Sequence, residues 1–336
     1  MTIKDIAKLA GVSVSTVSRV LNNHPDVSKE AYKKVMAVVE EHNYIPNTSA
    51  RDLGKSSTDN IGLVVRGIAN PFYTKIIHAI EKKIENAGYT MVMQQIGSQE
   101  DEIMAGAIME RDKKLQGLIF LGGKLDYTPS QVSAINIPFV CCTFNNKYGS
   151  LDKDSFSSVC IDDNQAAYDA VECLYNQGHR KIAVLLSGPA DGSVSQVRFE
   201  GYERALKDFG LELDENLIIS TNSYGIKEAY EGTKEWLKNN HDFTAIFAIA
   251  DNIAIGAMRA LNEAGVSVPE DCSVLAIDGI EISEYMNPTL STLCQPMKEM
   301  GSDAVEILID IIEGRGTHKQ VVLPTTYRSG NSVSQI

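Results

Sequence analysis

Thr2-Ile-Lys-Asp5-Ile-Ala-Lys-Leu-Ala-Gly11-Val-Ser13-Val-Ser-Thr-Val-Ser-Arg19-Val-Leu-Asn22 decides how the chain begins. Thr2 with Asp5 three residues later has the pattern of a capping box at a helix start. Ile3, Ile6, Ala7, Leu9 and Ala10 recur at helical spacing and define one apolar face. Gly11 supplies the left-handed residue at which such a helix stops. Ser13 caps a second helix, whose inward positions are Val14 or Val17, then Val20 and Leu21. Asn22-Asn23-His24-Pro25 breaks it. Ser28 caps a third helix, with Ala31, Val35, Val38 and Val39 inward, ending near Tyr44. Two short helices joined by a glycine turn form a helix-turn-helix.

The second helix carries chemistry suited to a nucleic-acid groove. Ser13, Ser15, Thr16 and Ser18 offer small hydroxyls that bond phosphates and base edges without blocking entry. Arg19 has the fork that matches a guanine edge or a phosphate. Charge supports this only locally. Residues 1–60 hold eight Lys/Arg against seven Asp/Glu, a balance of +1, within a chain of net charge −13. The remainder is therefore at −14 and repels DNA, so binding by the first segment is local and salt-sensitive.

Pro46 to Asp59 is a polar connector, and from Ile61 short apolar runs alternate with amphipathic stretches. The spacing predicts strands at 61–65, 90–95, 117–121, 138–142, 181–186, 217–220, 244–249 and 273–278. Helices are predicted at 72–87, 99–114, 164–177, 195–209, 226–239, 252–264 and 296–313. Such alternation means parallel sheets covered on both faces. There are too many elements for one sheet of usual size, so two doubly wound subdomains are expected. The fold class is thus α/β, with a three-helix domain in front.

With 336 residues, 43% of them hydrophobic, the chain is long enough for two or three compact units. No apolar run approaches the ~20 residues that span a bilayer. The polar start Met-Thr-Ile-Lys-Asp lacks a secretory h-region, so a cytoplasmic protein with no membrane partner is expected. Cys141, Cys142, Cys160, Cys173, Cys272 and Cys294 form no CxxC pair and have no histidine at metal spacing, which predicts reduced buried thiols and neither metal nor cofactor. H-E-x-x-H, G-x-S-x-G and a Walker A loop are absent, and Gly122-Gly-Lys124 lacks the first glycine and the closing Ser/Thr, so no enzyme is expected. A transport-type binding protein fits poorly with a DNA reader and no signal peptide.

The opening stretch resembles the signature of the LacI (lactose repressor) family, and the likeness continues through Val27-Ser28, Tyr44-Ile-Pro-Asn47 and Ala50-Arg-Asp-Leu53, then over the whole chain. The resemblance implies a helix-turn-helix domain over 1–45, a hinge helix and linker over 46–59, and an effector-binding and dimerisation domain over 60–336. It divides the last into an N-subdomain of about 60–160 and 292–321 and a C-subdomain of about 161–291 and 322–336. It implies a repressor of carbohydrate genes acting as a homodimer on a pseudo-palindromic operator in double-stranded DNA. Val14 and Ser15 would then choose the bases, with Arg19 assisting and Val14 facing the groove, while Thr2, Asn22, Tyr44, Asn47 and Ala50 would join the DNA contact. Leu53 maps to the leucine that wedges into the minor groove. Asp52 departs from the family's small or neutral residue and brings a carboxylate near the phosphates.

The resemblance also implies a periplasmic-binding-protein-like sensor with a small ligand, expected to be a sugar, between its subdomains. Effector positions carry over to Phe72 and Tyr73, in Asn70-Pro-Phe-Tyr73, and to Arg198, Tyr224, Asp251 and Asp278. An arginine–aspartate pair with aromatic cover suits a polyol, since charged groups grip adjacent hydroxyls and rings cover the apolar face. Arg198 as a surface helix residue, Asp278 as a turn cap, Tyr73 and Tyr224 as packing residues and Asp251 as a helix cap are the competing readings. Gly192 stands where nucleobase-sensing relatives carry an arginine. Ala166-Ala-Tyr-Asp-Ala-Val171 and Gln295-Pro-Met297 are similar to the catabolite control protein branch, whose corepressor is a phosphocarrier protein. That alternative is weakened by Lys298 and Glu306, which stand where the branch has partner-binding tyrosine and arginine.

Overall fold

Three short helices, α1 (Ile3–Ala10), α2 (Val14–Leu21) and α3 (Lys29–Glu41), enclose a small core of Ile6, Ala7, Ala10, Val17, Val20 and Val35. The computed structural model describes residues 1–21, 24, 26–42, 44, 58–67, 70–188, 192–221, 223–239 and 242–336. The chain packs as two units, Met1–Thr58 and Asp59–Ile336. The capping box of α1 is formed in both directions. The Asp5 backbone N–H donates to Thr2 Oγ1 at 3.4 Å, and the Thr2 N–H donates to Asp5 Oδ2 at 2.8 Å. Gly11 closes the helix at φ 66°, in the left-handed region that glycine enters without penalty. Ser28 Oγ caps α3 by accepting from the Ala31 N–H. Val17 is the inward residue of α2 and is fully buried, whereas Val14 is 41% exposed. Leu9, expected on the apolar face of α1, is exposed instead, because so small a core saturates with fewer side chains.

The second unit alternates strand and helix: β1 (Asn60–Arg66), α4 (Phe72–Asn86), β2 (Thr90–Ile96), α5 (Glu102–Lys113), β3 (Gly117–Leu121), α6 (Pro129–Val132), β4 (Phe139–Cys142) and β5 (Ser157–Ile161). It continues with α7 (Asp163–Asn176), β6 (Ile182–Leu186), α8 (Val194–Asp208), β7 (Ile218–Ser220), α9 (Ile226–Trp236), β8 (Ala245–Ala248), α10 (Asp251–Glu263), β9 (Ser273–Asp278), β10 (Ser291–Cys294), α11 (Met297–Ile312), β11 (Gln320–Leu323) and β12 (Thr326–Arg328). Two sheets result, ordered β2-β1-β3-β4-β5-β11 and β7-β6-β8-β9-β10-β12. All pairings are parallel except β10 with β12. Strands such as Ile182–Leu186 and Gly117–Leu121 are buried along their whole length, as strands covered by helices on both faces must be.

Strands β5, β10, β11 and β12 were not expected from periodicity. Each is short, and the buried polar residues of β5 and β10 are satisfied by distant partners: Ser158 by Gln320 on β11, Ser157 by the Lys319 N–H, Ser291 by the Gly330 N–H and Thr292 by Asp251. The expected return to the first subdomain at 292 is therefore corrected. Ser291–Cys294 pairs with β9 in the second sheet, so the chain crosses at Gln295 and Pro296. The other crossings fall between β5 and α7 and between β11 and β12.

Candidate functional site

In each sheet the strand order reverses once, between β1 and β3 in the first and between β6 and β8 in the second. Ligands of open parallel sheets bind beyond the carboxyl ends of strands at such reversals. The chemistry-bearing side chains of the second unit gather there.

Arg198, on α8, is 4% exposed, and each of its three nitrogens has an acceptor. Its Nε and Nη2 each lie 2.8 Å from Asp163 Oδ1, Nη1 donates to the Ile249 carbonyl, and Nη1 lies 3.5 Å from Asp278 Oδ1. Burial works against the guanidinium charge, but Asp163 and Asp278 outweigh it and raise its pKa. Burial likewise raises Asp163 and Asp278, with Arg198 opposing in both cases, and Asp278 reaches about 7. Asp278 sits at the end of β9 with φ 139°, a strained value for a residue with a side chain. Its Oδ1 also accepts from Gln295 Nε2 at 2.8 Å. α8 can bring Arg198 here because Gly201 presses on α7; a Cβ at that position would lie 2.2 Å from the Asn164 carbonyl oxygen.

Tyr224 is half-buried beside this pair, and burial raises its phenol against the pull of Arg198 and a hydrogen bond with Ser187. Tyr73 approaches from the first sheet. Its phenol is also raised by burial, with Tyr224 and Asp278 adding to the effect. Gly122, at φ 73°, makes room for it, since a Cβ there would lie 2.5 Å from Tyr73 Oη.

One expected ligand contact, Asp251, is corrected. Phe72 is 5% exposed and packs in the core under β1, while Tyr73 is half-buried with its hydroxyl against Gly122. Asp251 is fully buried with both oxygens occupied. Oδ2 accepts from the Gly279 and Ile280 N–H groups and Ser283 Oγ, and Oδ1 accepts from Thr292 Oγ1. It fixes the turn after β9 and does not present an acceptor to a ligand. Burial raises its pKa to about 6 against these donors. Asp163 and Gln295 went unrecognised; Asp163 ends one crossover between the sheets, and Gln295 begins another. The pair Asp162-Asp163 after a strand-like Ser157–Ile161 was the available signal.

The first unit presents a polar face on α2. Ser13 Oγ accepts from the Thr16 N–H at 3.1 Å and lies 2.7 Å from Ser15 Oγ and 2.8 Å from Thr16 Oγ1. Val14, Ser15 and Arg19 are exposed, and Arg19 Nη1 donates to Asp26 Oδ2 at 3.2 Å. Ser18 is half-buried, Thr2 serves the α1 cap, and Tyr44 packs half-buried against the small core. Asn22, Asn47, Ala50, Asp52 and Leu53, with residues 46–57 of the expected hinge helix and linker, lie outside the described residues.

Comparison with known proteins bears on both units. Residues 2–47 match the lacI family of bacterial regulatory proteins, and residues 171–333 match the periplasmic binding protein-like domain. The HTH-type transcriptional regulator MalR of Clostridium butyricum is 41% identical over 329 residues, covering 97% of each chain. The chain belongs to the LacI family. Two solved structures span 99% of it and 99% of their own length. The lac repressor dimer bound to operator and the anti-inducer ONPF has a TM-score of 0.80 at 26% identity. The transcriptional regulator CelR in complex with cellobiose has a TM-score of 0.73 at 27% identity. This LacI-family chain is a DNA-binding transcriptional regulator with a periplasmic-binding-protein-like sensor, in a family of regulators and not of enzymes.

Among the described residues no helix is long and apolar enough to cross a membrane. The six cysteines are free thiols, with Cys141, Cys142, Cys160 and Cys272 buried, and burial raises the pKa of each of those four.

Proposed function

We propose that this regulator is a cytoplasmic, sugar-responsive repressor in which a saccharide lies between the strand ends of its two sheets and changes operator affinity. The observation that carries the reading is Arg198, buried between Asp163 and Asp278 at the reversal point of the second sheet. Hydroxyls are amphoteric, so adjacent ones accept from the guanidinium and donate to the carboxylates. Tyr73 and Tyr224 offer rings to the apolar face of a sugar. The CelR–cellobiose neighbour supports this ligand class.

Coupling follows from where the partners sit. Asp163 follows the first crossover, and Gln295, which bonds Asp278, opens the second. A ligand that competes for Asp278 and Arg198 therefore pulls on the segments about which the subdomains turn, a hinge arrangement. The reader supplies Val14, Ser15 and Arg19 to base edges, Ser13, Thr16 and Ser18 to phosphates, and Leu53 to the minor groove. A homodimer, supported by the lac repressor dimer neighbour, doubles this small footprint on a pseudo-palindromic operator. A phosphocarrier corepressor is disfavoured, because Glu306 stands where an arginine is required and is itself paired with Lys83 at 2.7 Å.

The test is operator binding by the full chain, on DNA selected from a random pool, titrated with neutral sugars and sugar phosphates. Arg198→Ala and Asp278→Ala are expected to keep sequence-specific DNA binding and lose the response to ligand. A response that survives both substitutions refutes the site.

A further inference from the structure

We propose that Arg66 and Glu102 form a second ligand-gripping station, on the first sheet, and that it commits the cleft to an uncharged saccharide. The proposal rests on the sugar reading above. Arg66 is the last residue of β1, and β1 and β3 are the strands between which the first sheet reverses its order. Arg66 thus occupies in the first subdomain the place that the Arg198 cluster occupies in the second.

The pair is built, and one donor is left over. Arg66 Nη1 lies 3.6 Å from Glu102 Oε1, with the Arg66 side chain 16% exposed and that of Glu102 1% exposed. Glu102 Oε1 also accepts from the Lys124 N–H at 2.8 Å and from Tyr127 Oη, both in the segment after β3. The carboxylate is thereby fixed at the strand ends. Arg66 Nε is buried, yet it has no acceptor among the described residues. Buried N–H groups are almost always satisfied, and an orphan at the strand ends where the sugar is proposed to lie points to an acceptor brought by the ligand. Tyr73 is within electrostatic reach of Arg66 and also of Asp278 and Tyr224, and its hydroxyl lies against Gly122, whose Cβ position is 3.3 Å from the Arg66 carbonyl oxygen.

The charge balance selects the ligand. Glu102, Asp163, Asp251 and Asp278 are buried carboxylates, against the guanidiniums of Arg66 and Arg198, and both guanidiniums are already paired. The Lys124 side chain is exposed, and only its backbone N–H serves the station. A phosphoryl group adds up to two negative charges and finds no uncommitted cation at either station among the described residues. A hydroxyl accepts from Arg66 Nε and donates to Glu102 without adding charge.

The experiment measures binding to the full chain by calorimetry and thermal shift, using ribose, glucose, maltose and cellobiose beside ribose 5-phosphate and glucose 6-phosphate. At least one neutral sugar is expected to bind, and the phosphorylated form of a bound monosaccharide to bind about tenfold or more weaker. Arg66→Met and Arg66→Lys are both expected to weaken the neutral sugar about tenfold or more, the scale of a hydrogen bond to a charged group, since lysine restores charge without the Nε donor. Glu102→Gln keeps an acceptor for Tyr127 and Lys124 and is expected to narrow the neutral-to-phosphorylated ratio several-fold. Wild-type affinity in Arg66→Met, or a phosphorylated sugar that binds as tightly as its neutral parent, overturns the proposal. If no probe binds the wild-type chain, the sugar reading itself falls, and this proposal with it.

Discussion

Replacing Arg198 by methionine keeps the apolar stem and removes the guanidinium between Asp163 and Asp278. Truncating one partner of a buried ion pair leaves an uncompensated charge and costs about 3–5 kcal/mol. Here the loss has a pH signature. Burial already holds both carboxyl pKa values above their ordinary range while Arg198 opposes, and Asp278 lies at about 7. Without Arg198 both rise further. A carboxyl whose folded pKa exceeds its unfolded value of about 3.9 contributes stability that is complete below that value and lost as pH rises through the folded one. Above pH 7 the wild-type Asp278 has released its proton, whereas the variant must keep it or bury a bare charge. The gap between the two proteins therefore widens by about 1.4 kcal/mol per pH unit for each such acid. Urea unfolding followed by the single tryptophan, Trp236 on α9, reads this directly. The expected loss is about 3–5 kcal/mol at pH 8 and smaller by at least about 1.4 kcal/mol at pH 6, the part that Asp278 alone contributes between about pH 7 and 8. A loss under about 1 kcal/mol at pH 8, or one independent of pH, refutes the reasoning.

Three further substitutions test other links. Val14→Ala removes an exposed side chain from α2, so stability should hold within about 0.5 kcal/mol while the DNA sequence chosen from a random pool changes; an unchanged choice removes Val14 from the reader. Ile6→Ala cuts the small core of the first unit at a cost of about 2–5 kcal/mol. DNA binding should be lost while sugar-dependent thermal stabilisation of the sensor persists, and loss of both would contradict the independence of the two units. Gly201→Ala drives a Cβ against the Asn164 backbone and must push α8 outward, carrying Arg198 with it. A lower melting temperature with ligand affinity reduced about tenfold is expected, and wild-type values for both would show that the close helix contact is unimportant.

Much of the first unit was legible because caps and turns are local. Thr2 with Asp5, Gly11 and Ser28 each specify a backbone event within four residues, and each occurs. The long buried strands were legible too, since continuous apolar runs flanked by helices leave few alternatives. β5 and β10 were not, because Ser157, Ser158, Ser291 and Thr292 read as loop until their partners, far away in sequence, are known. The site divides similarly. Arg198, Asp278, Tyr73 and Tyr224 lie within electrostatic reach of one another, and their role as ligand contacts is the proposal made above. Asp251 was misread because a carboxylate at a helix start looks the same whether it faces a ligand or, as here, holds the turn after β9. Asp163, Gln295 and the Arg66–Glu102 pair escaped notice because each acts through a partner at least 17 residues away.

The most direct test of the account is fluorescence anisotropy of the full chain on its selected operator, with and without a saccharide that stabilises it. Ligand control predicts a change in operator affinity of roughly 5–150-fold, the usual range of coupling between two sites, and the change should vanish in Arg198→Ala. An operator affinity that stays constant while the sugar demonstrably occupies the cleft would contradict it.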